Sequence, residues 1–152
     1  MIERINELKA ALAIDINRLD VACQEQPQLV TEIEDIVADL KYDVRKREME
    51  YDETCSVAEQ QIRDNPSTFG IQGKVTEAAV KAAIIIHGDV RSALDKAIQA
   101  KHWMDKASAV ATGFHHRRAM LDDEIKGAIA GLFGDIPNNY EDKSNGFTRR
   151  GR

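Results

Sequence analysis

A stripe of apolar residues between Leu29 and Ile62 limits the fold more than any other feature of the chain. Its members recur at spacings of three, four and seven residues, the period of one face of an α-helix. They are Leu29, Ile33, Ile36, Leu40, Val44, Tyr51, Cys55, Ala58 and Ile62. The pattern predicts a helix over residues 28–63, with Pro27 in its first turn. At 1.5 Å per residue this helix would be about 54 Å long, which is too long to be stable without a partner.

A second stripe begins after Thr76, which is a suitable N-cap residue. Its apolar positions continue with helical spacing to the end of the helical region. They are Val80, Ile84, Val90, Leu94, Ile98, Met104, Ala111, Phe114, Leu121, Ile125, Ile129 and Leu132. A glycine in a helix interior costs about 1 kcal/mol relative to alanine. We therefore expect a kink or break near Gly113, which would leave a separate helix over residues 115–133.

Shorter segments flank the two stripes. Ile5, Leu8 and Leu12 predict a helical N-terminal arm over residues 2–22, interrupted near Asp15, which is a suitable cap. The Pro, Asn and Gly residues between positions 64 and 75 predict a loop that separates the long helices. From Gly134 onward the chain loses its apolar periodicity and is predicted to be a flexible tail with basic residues at its end.

These elements predict an all-α protein with a helical oligomerisation and binding domain over residues 1–133 and a tail over residues 134–152. The long amphipathic helices would pair as a helical hairpin, and further copies of the chain would cover the remaining apolar surface in a homo-oligomer, with a ring as the expected form. The predicted oligomer interface consists of Leu29, Ile36, Leu40, Val90, Leu94, Phe114, Leu121 and Ile125. A hairpin that satisfies one face of each helix would need such neighbours less.

The charge balance argues against a simple nucleic-acid-binding domain. The 152 residues include 21 basic and 26 acidic side chains, which give a formal net charge of −5, whereas such domains are typically strongly basic. A polyanion site would therefore be a local patch or a product of oligomerisation. Cys23 and Cys55 lack metal-ligand spacing and fit a reduced, cytoplasmic protein. No apolar run in the sequence is long enough to span a bilayer.

The sequence contains none of the motifs that would indicate catalysis. The segment Gly70 to Lys74 does not match a phosphate-binding loop, because Thr68 and Val75 occupy positions that require Gly and Ser or Thr. No two of the four histidines are four residues apart, as a helical zinc site would require. Neither a Glu-x-x-His nor a Gly-x-Ser-x-Gly motif occurs. The sequence therefore predicts a non-enzymatic protein with no metal and no cofactor.

Basic residues form local groups along the predicted helices and beside the loop. The predicted DNA-binding residues are Lys41, Arg45, Lys46, Arg47, Arg63, Lys74, Arg117 and Arg118. Each group alone is more often a solvated surface than a phosphate site. Repeated around a ring, the same group becomes a track for a polyanion. Trp103 and Phe114 could stack on unpaired bases, but both lie on or beside the apolar stripe, which favours packing in the core or an interface.

The opening of the chain carries a further pattern: Glu7-Leu8-Lys9, then Leu12, Ile14-Asp15 and Leu19. This pattern resembles the start of the UvsY-type recombination mediators of large tailed phages. The likeness in organisation extends over most of the chain, through the arm, the long helices and the Gly-containing loop. The resemblance implies a ring that binds single-stranded DNA, contacts the single-strand binding protein and loads the recombinase onto the coated strand. By position, it would place DNA contacts near Arg63 and Lys74.

Two hypotheses about function follow. The first is a phage-type recombination mediator, whose partners are single-stranded DNA, other copies of the chain, a RecA-like recombinase and a single-strand binding protein. The second is a helical structural or interaction protein, such as a phage assembly factor or chaperone, whose partner is another protein. A mediator would gather Arg63, Lys74, Arg117 and Arg118 on one rim or face, whereas a scaffold would leave them dispersed.

Overall fold

A computed structural model describes residues 1–134 of the chain, with side chains through residue 131. This part of the chain forms four α-helices and two short 3-10 turns. They are α1 (Ile2–Ala10), a 3-10 turn (Ile16–Arg18), α2 (Leu19–Asp64), a second 3-10 turn (Pro66–Phe69), α3 (Glu77–Ile86) and α4 (Gly88–Gly134). The described residues contain no β-strand, which confirms the predicted all-α class. The predicted tail lies outside the described residues from position 135 onward.

Helix α2 extends further toward the N-terminus than the sequence predicted. It begins at Leu19, so the expectation that Pro27 opens the helix is wrong. A proline inside a helix removes a hydrogen bond and costs about 3 kcal/mol. Tertiary packing offsets this cost, because Ala22 and Gln26 on the turns before Pro27 are buried. The Gln26 amide Nε2 also donates to the main-chain oxygen of Phe114 at 2.8 Å.

The second apolar stripe forms two helices, but the break is not where the sequence placed it. Thr76 caps α3 as predicted, since its Oγ1 accepts from the main-chain nitrogen of Ala79 at 3.3 Å. The chain leaves the helix at His87, where ψ is 129°. Helix α4 then runs through Gly113, so the predicted break there and the separate helix over 115–133 are wrong. Gly113 instead gives room for the side chain of Leu12, whose Cδ1 lies 2.9 Å from where a Cβ would be.

The segments between helices follow their local sequence. Asp15 caps the first 3-10 turn, as expected, by accepting from the main-chain nitrogen of Asn17 at 3.0 Å. The predicted loop after α2 is present and contains the second 3-10 turn. Gly70 and Gly73 in this loop have φ angles of 77° and 87°, in the left-handed region that favours glycine. Local hydrogen bonding and glycine placement therefore explain both connections.

Helices α2 and α4 form an antiparallel hairpin. The early part of α2 meets the late part of α4, as the hydrogen bond from Gln26 to Phe114 shows. At the opposite end, Glu50 and Thr54 of α2 line one surface cavity together with Asp89 near the start of α4. The predicted helical hairpin is therefore confirmed, and its assembly into an oligomer stays a prediction.

The main hydrophobic core lies where α1 covers the hairpin end that contains the start of α2. Its buried residues come from three helices and are Ile5, Leu8, Ile33, Val37, Leu40, Ala107, Val110 and Phe114. At the other end, a smaller cluster of Ile62, Val80 and Ala83 joins α2 to α3. None of the described helices has both the length and the apolar character needed to cross a bilayer.

Candidate nucleic-acid interface

The cations in the middle of α2 differ in how far their charge is already paired. Lys41, Arg45 and Lys46 are exposed. Within residues 1–131 they have no carboxylate at ion-pair distance. Arg47 is half-buried, and its Nη1 lies 2.8 Å from Oε2 of Glu50. The hydrogen bond to Glu50 is the main reason that the pKa of Arg47 is raised. The charge of Arg47 is thus largely paired within the helix, whereas the other three cations remain accessible.

A side-chain contact between α2 and α4 identifies the cations that lie along one edge of the hairpin. His115 Nε2 of α4 lies 3.5 Å from Glu34 Oε1 of α2, so these residues mark one edge where the helices meet. On α2, Lys41 follows Glu34 by about two helical turns and so lies on the same face as Glu34. On α4, Lys101 precedes His115 by about four turns and so lies on the same face as His115. Arg45 follows Lys41 by about one turn. We call Lys41, Arg45 and Lys101 the edge cations.

The antiparallel register places the edge cations at one level of the hairpin. Counted from the contact between Gln26 and Phe114, Lys41 and Lys101 lie almost equally far along their helices, with an offset of about 3 Å. Lys101 is exposed and, like the other edge cations, has no carboxylate at ion-pair distance among the described residues. The register therefore places three exposed cations near one level of the hairpin, and we call this group the patch.

Arg118 lies further along the same edge. It is exposed and follows His115 by about one turn. Together with Pro27 and Val30 it lines a surface cavity of about 450 Å³. Its Cα is roughly 25 Å from that of Lys101 along α4. Arg118 therefore belongs to the edge but not to the patch.

The structure contradicts the prediction that Arg117 binds DNA. Its side chain is only 5% exposed. The guanidinium donates to Oε1 of Gln26 and to the main-chain oxygen of Ala22, the latter at 3.4 Å. Because neighbouring residues on a helix point in different directions, only one member of the run from His115 to Arg118 faces α2 in this way. Arg117 therefore joins α2 to α4 inside the hairpin and is unavailable to a ligand.

Arg63 and Lys74 lie at the loop end of the hairpin, away from the edge cations. Arg63 Nη2 lies 2.7 Å from Oε1 of Glu59 and 2.7 Å from Oε1 of Glu77. The pKa of Arg63 is raised, mainly by its hydrogen bond to Glu77. Lys74 is exposed in the loop. Arg63 is about 27 Å from Arg45 along α2, so a single chain disperses the predicted cations instead of gathering them.

The hairpin itself covers several residues that the sequence assigned to an oligomer interface. Leu40, Val90, Phe114 and Leu121 are buried within the chain. Leu29, Ile36 and Ile125 are half-buried, and Leu94 is 40% exposed. The first four residues therefore serve the core of the hairpin. The oligomer interface stays a prediction, and residues with more exposed surface are better placed to form it.

Trp103 contacts other residues of its own chain. It is half-buried and packs against the main core. The Nζ of Lys106 lies 4.5 Å from the centroid of the Trp103 ring, a cation–π arrangement. Lys106 and Lys9 also line a groove of about 230 Å³ between α1 and α4. These contacts agree with the expectation that Trp103 packs internally, so base stacking on it gains no support.

Sequence reasoning missed Lys101, although a signal for it was present. Lys101 is two heptads before His115, and a heptad spacing keeps a residue on the same side of a paired helix. The interval between the two residues could have suggested a shared edge, but only the pairing of His115 with Glu34 shows which cations of α2 lie along it.

No group of three or more His, Cys, Asp or Glu side chains in the described part of the chain is arranged to hold a metal ion. No family model, no curated protein and no solved structure matches this chain. The candidate interface therefore rests on the geometry of the edge cations.

Proposed function

We propose that this chain is a recombination mediator of the UvsY type. In this proposal, a homo-oligomer of helical hairpins binds single-stranded DNA and helps load a RecA-like recombinase onto a strand coated by single-strand binding protein. The observation that carries the DNA-binding step is the patch formed by Lys41, Arg45 and Lys101, which are exposed at one level of the hairpin. The resemblance of the opening residues to the mediator family supplies the expected protein partners.

The patch is suited to weak, repeated contacts with a strand. Each phosphate neutralised on single-stranded nucleic acid contributes a slope of about −0.7 to the dependence of log K on log salt. Three edge cations give one chain a modest affinity, and several chains in a ring would add their contacts through multivalency. The net charge of −5 repels a polyanion from much of the remaining surface. Binding would therefore be confined to the edge and would weaken steeply as salt rises.

A salt series with a fluorescent oligo-dT strand tests this interface. The triple variant Lys41→Ala/Arg45→Ala/Lys101→Ala is expected to bind at least about tenfold more weakly at about 50 mM salt. Its slope of log K against log salt should be shallower by about 2, because three phosphate contacts are lost. Fluorescence anisotropy measures both quantities.

The loop-end site that the resemblance implies is tested separately by Arg63→Ala/Lys74→Ala, which removes two cations there. We expect this variant to bind within about twofold of the unchanged chain, since these residues lie away from the edge. A loss of affinity in this loop-end variant, with none in the triple variant, would move the DNA contact to the loop end. Failure of the unchanged chain to bind the strand at low salt would reject the mediator proposal.

A second candidate function is a helical assembly factor or chaperone that binds another protein. It is favoured by the dispersal of the predicted cations along a single chain, because Arg63 and Lys74 lie at the loop end and Arg118 lies toward the other end. It is also favoured by large apolar side chains on the outside of α2, where Tyr42 is 72% exposed and Met49 is 63% exposed. Exposed apolar groups at helical spacing are typical of protein-binding surfaces. A chain that self-associates but ignores single-stranded DNA at low salt would favour this function over the mediator.

A further inference from the structure

Helix α2 also carries apolar residues on its outer face, which the hairpin leaves uncovered and which we call the outer stripe. Tyr42, Met49 and Val57 are 72%, 63% and 56% exposed. Met49 follows Tyr42 by seven residues and Val57 follows Met49 by eight, so the three side chains lie within a sector of about 80° around the helix. The residues of α2 that face α4, such as Leu40 and Val44, are buried on the opposite side. Large apolar side chains on one outer face indicate a surface that binds another helix.

Opposite charges lie along this stripe at nearly equal distances from its centre. Lys46 is three residues before Met49, and Glu53 is four residues after it. Tyr42 and Val57 lie further out, seven residues before and eight residues after Met49. Lys46 and Glu53 are both exposed, and neither has an ion-pair partner within residues 1–131. If the direction of the helix is reversed about Met49, Lys46 takes the position of Glu53 and Tyr42 takes the position of Val57.

We propose that this outer face of α2, formed by Tyr42, Lys46, Met49, Glu53 and Val57, is a two-fold interface with a second copy of the chain. The two α2 helices run antiparallel, and the two-fold axis passes beside Met49. In this arrangement Lys46 of each copy lies beside Glu53 of the other. Tyr42 of each copy packs against Val57 of the other, and the two Met49 side chains meet at the centre.

The charges decide the direction of pairing. In a parallel pair, Lys46 would face Lys46 and Glu53 would face Glu53, and like charges at a helix interface are unfavourable. In the antiparallel pair both of these contacts become attractive. A two-fold interface also requires a surface that is complementary to itself, which the order Tyr42, Lys46, Met49, Glu53, Val57 provides.

The interface deepens the homo-oligomer part of the proposed function and does not depend on DNA binding. Lys41 points along the hairpin edge, whereas Arg45, four residues before Met49, lies between that edge and the outer stripe. On the other side of the outer stripe, Glu53 also borders the cavity that α2 shares with Asp89 of α4.

Lys46, which the sequence assigned to DNA, is given a protein contact here. The interface from Tyr42 to Val57 is about 22 Å long. This length suits a dimer that dissociates on dilution, and the dimer contact would be one of several in a larger assembly.

Charge reversal followed by sedimentation equilibrium tests the interface. Lys46→Glu alone and Glu53→Lys alone should each raise the dimer dissociation constant at least about tenfold, because each creates like-charge contacts. The double variant Lys46→Glu/Glu53→Lys restores opposite charges and should return to within about threefold of the unchanged chain. Arg91→Glu reverses an exposed cation of α4 outside the stripe and should leave the dissociation constant unchanged.

A second measurement reports whether the two α2 helices pair parallel or antiparallel. In a Cys23→Ser/Cys55→Ser background, Lys46→Cys and Glu53→Cys chains should form a disulfide with each other when mixed and oxidised, and neither should do so readily alone. Crosslinking of each variant with itself would indicate parallel pairing and overturn the proposal. Equal dissociation constants for all charge variants, or a monomer at every concentration, would also overturn it. Loss of DNA binding with self-association intact would instead count against the proposed function alone.

Discussion

At each end of the α2–α4 hairpin an arginine–glutamate pair joins a short helix to α2, but the hydrophobic clusters at the two ends differ in size. At one end Arg4 of α1 pairs with Glu32 of α2, with Nη2 to Oε2 at 2.7 Å. At the other end Arg63 of α2 pairs with Glu77 of α3, also at 2.7 Å. Eight buried residues from three helices lie in the cluster at the α1 end, against three from two helices at the α3 end. Because exposed ion pairs stabilise little, we expect burial to make the α1 end more stable.

Among residues 1–134, no third helix covers the region between these ends. There Val44, Val90 and Ala100 are buried, while Tyr42, Met49 and Ile98 are more than half exposed. A pair of helices covers only one face of each member. The uncovered apolar surface therefore lies in the middle of the hairpin, where a further copy could pack.

Truncation of the core gives the largest expected difference between the two ends. Phe114 and Ile62 are both 0% exposed. Phe114→Ala should lower the free energy of unfolding by about 3–5 kcal/mol, because it empties the centre of the larger cluster. Ile62→Ala should cost closer to about 2 kcal/mol, since the smaller cluster can relax more. Urea unfolding followed by circular dichroism measures both. A larger loss for Ile62→Ala would contradict the ranking of the ends.

The contact between Gly113 and Leu12 provides a smaller test of the α1 end. Gly113→Ala gains about 1 kcal/mol of helix propensity, but its new Cβ would have to displace Leu12, whose Cδ1 lies only 2.9 Å away. We expect the variant to change the unfolding free energy by less than about 1 kcal/mol. In a Leu12→Ala background the obstruction is gone, and the same change should stabilise by about 1 kcal/mol. Equal effects in both backgrounds would show that Leu12 does not constrain this position.

The two ion pairs predict a weak loss of order at both ends in acid. The hydrogen bond from Arg4 lowers the pKa of Glu32, and the hydrogen bond from Arg63 lowers the pKa of Glu77. A carboxylate with a lowered pKa in the folded state stabilises above its unfolded pKa, and this contribution is lost as pH falls through the folded pKa. The protection factors of the amide hydrogens of α1 and α3, which correct for the fall of the intrinsic exchange rate with pH, should therefore decrease between about pH 5 and 3. Glu32→Gln should remove this part of the response in α1 and leave α3 unchanged.

Much of the local structure could be predicted from residue patterns. The periodic apolar stripes predicted helices, and Asp15 and Thr76 were correctly expected to act as caps because their side chains can accept hydrogen bonds from nearby main-chain nitrogens. Patterns failed where a distant contact outweighed a local preference. Pro27 lies inside α2 because the preceding turn packs against α4. Gly113 does not interrupt α4, because it gives room for Leu12.

The candidate interface was less predictable than the helices. The sequence gives each cation of the hairpin the same formal charge, whether its side chain is exposed, paired or buried. Arg117 turned inward to bond Gln26, and Arg63 became paired with two carboxylates. Lys101 joined Lys41 and Arg45 only through the pairing of two helices that are far apart in the chain.

The sequence by itself determined that the described part of the chain is helical, that its helices are amphipathic and where their caps lie, because periodicity and capping act over a few residues. Only the tertiary structure decided which stripe meets which, where the second helix breaks and which cations stay exposed. Those outcomes depend on side chains brought together from opposite ends of the chain. Their energies are set by burial and by hydrogen bonds across the hairpin, which no local pattern contains.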